Sequence, residues 1–65
     1  MAAVIEIIIC ASIYTAEKTL VNRGFSRTSG AKRIPSQWMN GAHHWATIEK
    51  MPSGKFLVNI GVSTI

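Results

Sequence analysis

Phe25-Ser26-Arg27-Thr28-Ser29-Gly30-Ala31-Lys32-Arg33-Ile34-Pro35-Ser36-Gln37-Trp38 is the stretch on which the reading of this chain turns. Ser26 or Thr28 can cap a helix here. At 100° per residue, Ala31, Ile34 and Trp38 then share one side, and Thr28, Ser29, Lys32, Arg33 and Ser36 share the opposite one. That outer side carries hydroxyls and cations with no acidic residue. Such a composition suits phosphates and base edges, and it equally suits an ordinary solvated face. Pro35 removes a backbone donor and turns Ile34 away from helical backbone, so the helix stops at Arg33 and restarts, or kinks. Gly41 ends the region.

Toward the N-terminus a first helix precedes this one. It starts near Ser12 or Thr15, either of which can cap its first turn, and it sets Ile13, Ala16, Leu20 and Val21 toward a core. Glu17 lies nearer the positive end of its dipole and Arg23 nearer the negative end. Gly24 accepts the left-handed conformation that closes a helix, and Phe25 is the apolar residue expected to pack back on Leu20. The short connection after Gly24 suits two helices meeting steeply. Further upstream, Val4-Ile5-Glu6-Ile7-Ile8-Ile9 is rich in β-branched residues and reads as a short strand.

Toward the C-terminus lies a hairpin. Trp45 to Met51 and Lys55 to Val62 flank Pro52-Ser53-Gly54, where proline suits the first corner of a turn and glycine its left-handed residue. Phe56, Val58, Ile60 and Val62 point one way; Lys55, Leu57, Asn59 and Gly61 point the other. Lys50 and Lys55 flank the tip. A basic hairpin after two helices reads as a wing, or else as a surface hairpin with solubilising lysines.

The 65 residues allow one domain, residues 1–65, and an apolar fraction of 48% argues against disorder. Seven Lys and Arg stand against three Glu and no Asp, giving a net charge of +4. A basic chain of this size is drawn to polyanions. Cys10 is the sole cysteine, which excludes an internal disulfide and a Cys-based zinc site. Inside Ile7-Ile8-Ile9-Cys10-Ala11 it reads as a small buried hydrophobe, and the reducing cytoplasm is the expected compartment. Met1 to Ala16 is apolar but shorter than the roughly 20 residues a span needs, and Glu6 interrupts it. No cation precedes it, as a secretory signal requires.

Catalytic chemistry is not expected. His43 and His44 are adjacent, so on a strand they point to opposite faces and do not chelate; packing, turn formation or a phosphate contact are their readings. Cys10 has no neighbouring charge to lower its pKa. No glycine-rich phosphate loop is present, and no metal or cofactor is expected. Trp38 and Trp45 can stack on bases, but two indoles would also supply much of a small core, and core packing is the reading preferred.

One stretch carries a resemblance. Trp38-Met39-Asn40-Gly41-Ala42-His43-His44-Trp45 resembles a pattern of small phage and prophage excisionases, the recombination directionality factors. There a helix-turn-helix is followed by a Trp, two residues, a Gly and a His-Trp pair opening a wing; the matching positions are Trp38, Gly41 and His44-Trp45, with Gly54 at the wing turn and Leu57-Val58-Asn59 near its end. Leu20-Val21-Asn22-Arg23-Gly24-Phe25-Ser26-Arg27 is similar to the family's first helix and turn. The resemblance covers about residues 12 to 62.

It implies an α+β fold: a small winged helix-turn-helix of the MerR and excisionase kind, with a short N-terminal strand, two helices and a C-terminal hairpin wing. It also implies an accessory protein that binds double-stranded attachment-site DNA beside a tyrosine integrase, bends it, self-associates cooperatively on it and directs prophage excision in a bacterial cytoplasm. Under that reading the second helix presents Thr28, Ser29, Lys32, Arg33 and Ser36 to the major groove. Arg27 holds phosphate, and Lys50 and Lys55 touch the backbone or the adjacent minor groove. A phage transcriptional regulator of the same fold, a phage-encoded inhibitor that meets a host protein through an exposed sheet edge, and a membrane-surface peptide are the competing readings.

Overall fold

The computed structural model describes residues 2–28 and 34–63. β1 (Ala2–Cys10) leads into α1 (Ile13–Asn22), followed by β2 (Ser26–Arg27), β3 (Ser36–Asn40), β4 (His44–Lys50) and β5 (Phe56–Ser63). The strands form one antiparallel sheet in the order β1-β5-β4-β3-β2. β2 to β5 make a meander, and β1 joins its far side. The helix therefore carries the chain from one edge of the sheet to the other. Ten residues at 1.5 Å each span about 15 Å, close to the roughly 19 Å across five strands, so α1 lies over one face and leaves the other open.

The first helix follows its sequence signals closely. The Ser12 side chain accepts from the Thr15 backbone N–H at 3.2 Å, as an N-cap should. At the other end Gly24 has φ +87°, the Phe25 N–H donates to the Leu20 carbonyl at 2.9 Å, and the Gly24 N–H donates to the Val21 carbonyl at 3.0 Å. Those two bonds are the Schellman motif, and Phe25 and Leu20 are both buried. The Asn40 side chain donates to the Arg23 carbonyl at 3.1 Å, so strand β3 also holds the helix end.

The core lies between α1 and the sheet. Ala16 and Leu20 meet Ile48, Val58, Ile60, Ala46, Cys10 and Trp38, with Ile8, Ile13 and Phe56 packed around them. Val21, expected inward, is 58% exposed, because α1 is anchored on its Ala16–Leu20 line alone. The hairpin is as expected: Gly54, at φ +92°, donates its N–H to the Met51 carbonyl at 2.9 Å, and Val58 and Ile60 point inward.

The winged helix-turn-helix is not the fold. Among the described residues α1 is the only helix, and the stretch read as a second one contributes β2 and β3 instead. The physical reason lies in Ser36 and Trp38. The Trp38 indole N–H donates to the Ser36 hydroxyl at 3.0 Å, and both residues are buried. Side chains two apart share a face on a strand, whereas on a helix they lie about 200° apart and cannot meet. Pro35, which denies Ile34 a helical backbone, marks the entry to β3. Gly41, at φ +73°, turns β3 into β4, making a second hairpin where a helix terminus was expected.

Candidate functional site

The open face of the sheet follows from the register. Trp45 pairs with Gly61, Thr47 with Asn59, and Glu49 with Leu57, while Ile7 and Ile9 on β1 pair with Asn59 and Leu57. Pairs directly opposite share a face, so these side chains stand away from α1 together with Gln37 and Met39. The Trp45 ring lies flat over Gly61, where any Cβ would fall inside its Cζ2, Cε2 and Cη2 atoms. Thr28, Gln37, Met39, Trp45 and Thr47 line a shallow groove of about 300 Å³ on this side.

The expected DNA-contacting residues separate into three groups. Ser29, Lys32 and Arg33 lie outside the described residues. Arg27 and Ser36 are structural. Arg27 is ion-paired with Glu17, and its guanidinium sits 4.9 Å from the Trp38 ring centre. Ser36 is buried against the Trp38 indole and presents nothing to solvent. Its assignment to an outer helix face is therefore corrected. Thr28, Lys50 and Lys55 are exposed. The Thr28 N–H and hydroxyl both donate to the Gln37 carbonyl, at 3.0 and 3.2 Å, which pins the end of β2 to β3.

Two ion pairs decide the electrostatics. Arg23 forks onto Glu6 at 2.5 and 2.9 Å, tying the helix end to β1. That hydrogen bond holds the Glu6 carboxyl below its ordinary range and raises Arg23. Glu17 is engaged by Arg27 through a single guanidinium nitrogen. Among the described residues two of five cations are thus matched inside the fold, and Lys18, Lys50 and Lys55 remain against the side-chain carboxylate of Glu49. No comparison with protein-family models, curated proteins or solved structures gives a match. Function must therefore be read from the arrangement itself.

The cations outside these pairs are not evenly spread among the described residues. Lys50 and Lys55 flank the β4–β5 turn, at the end of the sheet where Cys10 pairs with Phe56. β2 runs toward this same end and leaves at Thr28; the chain returns from it at Ile34 and runs into β3. Lys32 and Arg33 lie between Thr28 and Ile34 in the sequence, outside the described residues. α1 also opens at this end, with Ser12 as its cap and no acidic residue in its first turn. Lys18, which sequence reasoning passed over, lies on α1, 5.8 Å from the Tyr14 ring centre.

Among the described residues no three metal-binding side chains come together. No helix there is long and apolar enough to cross a membrane.

Proposed function

We propose that the protein is a non-catalytic binder of double-stranded DNA that meets the phosphate backbone with the turn end of its sheet. The observation that carries this is the internal matching of Glu6 and Glu17 by Arg23 and Arg27. It removes two of the three carboxylates from the field and leaves Lys50 and Lys55 together at the β4–β5 turn, with Lys32 and Arg33 following Thr28 in the sequence. A one-sided cluster of cations draws a polyanion electrostatically and without base readout. The helix-turn-helix through which excisionases read DNA is absent from the described residues, so the resemblance lends this proposal no groove-reading geometry. Backbone binding with little sequence preference is what the arrangement supports.

The test is a fluorescence-anisotropy titration on duplex DNA at several salt concentrations. Neutralising about four phosphates gives a slope of log affinity against log salt near −3.6. Replacing Lys50 and Lys55 together with Glu should weaken binding and bring the slope to about −1.8 or shallower. An affinity that ignores salt, or a double variant that binds as tightly as the wild type, overturns the proposal.

A further inference from the structure

The β1 edge is unlike the other edge of the sheet. β1 runs nine residues, Ala2–Cys10, against the two residues of β2, whose edge is also occupied by Arg27. A short or charged edge is protected from pairing; a long apolar one is not. Val4, Ile5, Ile7 and Ile9 are 51–60% exposed, and β1 contains no cation.

The hydrogen-bond phase shows which part of that edge is open. Met51 donates to the Lys55 carbonyl at one end of the β4–β5 ladder and Ser63 to the His43 carbonyl at the other, both at 2.7 Å. Odd-numbered residues of β4 and β5 therefore bond to each other, and Phe56, Val58 and Ile60 turn their backbone groups toward β1. Their partners Cys10, Ile8 and Glu6 turn inward to meet them, so Ile7 and Ile9 direct their N–H and C=O groups outward. The irregularity between Val4 and Glu6 bends the N-terminal half of the strand out of register and confines the open edge to Ile7–Cys10.

We infer that this edge pairs antiparallel with the same edge of a second copy, about a twofold axis at Ile8. Ile7 of each copy then faces Ile9 of the other, each such pair exchanging both backbone hydrogen bonds, and the four isoleucines form one apolar strip on the open face. Self-complementarity selects this occupant: about that axis the outward groups of Ile7 and Ile9 in each copy meet their equivalents in the other. Charge does not oppose it at the strand, since the only charge on β1, Glu6, is matched by Arg23 and falls opposite Cys10 of the second copy. The lysine-bearing turn lies at the Cys10 end of β1, so antiparallel pairing puts the two turns at opposite ends of the joint sheet. The two-residue β2 edge gives no comparable surface for growth past a dimer. A strand edge alone is a small interface beside the roughly 800 Å² per partner of a standard one, so a weak, concentration-dependent dimer is expected.

Sedimentation velocity on the full chain in reducing buffer, from about 1 to about 300 μM, tests this. A monomer–dimer equilibrium is expected for the wild type. Ile7→Lys, and Ile9→Pro, which removes only an outward-facing donor, should each weaken it by at least about tenfold. Their melting curves at low concentration should stay monomer-like and cooperative. Met39→Lys on the open face, Val21→Lys on the helix and the Lys50→Glu, Lys55→Glu double variant should dimerise as the wild type does. The last keeps this inference separate from DNA binding. A monomer at every concentration, species growing beyond a dimer, Ile7→Lys without effect, or Met39→Lys dispersing the dimer through loss of face-to-face packing overturns it.

Discussion

Gly61→Ala should destabilise this protein although the residue adds only a methyl group and the backbone there has no positive φ. The cost is steric. The new Cβ would occupy the space of three atoms of the Trp45 ring, and a rigid indole seated across a strand pair cannot yield as the end of a flexible chain would. The ring must lift from the sheet and lose its contact with β5. Overpacking of this kind costs about 1–3 kcal/mol. Against it stands the gain from replacing a strand glycine, roughly 0.5–1 kcal/mol. The net expectation is a loss of about 1–2 kcal/mol. A 65-residue domain has about 3–10 kcal/mol in all, at about 0.05–0.15 kcal/mol per residue. The melting temperature should therefore fall by roughly 4–16 °C. Urea denaturation followed by far-UV circular dichroism measures the change, and a double-mutant cycle with Trp45→Ala isolates its cause. With the ring gone, Gly61→Ala should become stabilising by about 0.5–1 kcal/mol. The steric account is refuted if the substitution is neutral in the wild type, or equally costly with and without Trp45.

Three further outcomes are expected from thermal or urea melts. Gly24→Ala forces a side chain into φ +87° and crowds the Asn40 amide 3.3 Å away; it should cost about 1–2 kcal/mol, and Gly24→Asn should cost less. Ser36→Ala strands the buried Trp38 indole N–H and should cost about 1–3 kcal/mol, with a shift in tryptophan fluorescence. The lowered pKa of Glu6 gives stability that is fully present above its ordinary value of 4.5 and is lost as pH falls through the folded-state value. From about pH 5 to about pH 2, the wild type should therefore lose more melting temperature than Glu6→Gln, by a modest margin because the pair is exposed.

Elements whose signals are local were legible in the sequence. Ser12 marks the start of α1 and Gly24-Phe25 its end, and Pro52-Ser53-Gly54 fixes the hairpin and hence the register of Val58 and Ile60. The stretch from Ser26 to Asn40 was not legible in this way. Ile34 and Trp38 fit a helical period, while Ser36, Trp38 and Asn40 fit a strand period, and so few positions do not separate the two. The Asn40-Gly41 pair was the available clue, since it is a hairpin signal between two short runs. The ion pairs were beyond reach, because Glu6 and Arg23 are brought together only once α1 crosses the sheet. Without them the basic composition read as a general property of the chain, and the internal matching of Arg23 and Arg27 was invisible.

Those same two pairs separate isoelectric point from field. Arg23→Gln and Lys50→Gln each remove one positive charge from the sequence, and the two variants would focus at nearly the same pH in a gel. The first liberates a carboxylate far from the β4–β5 turn and leaves the potential there almost untouched; the second subtracts directly from it. Two proteins of equal formal charge at neutral pH would then migrate differently through a column of immobilised heparin.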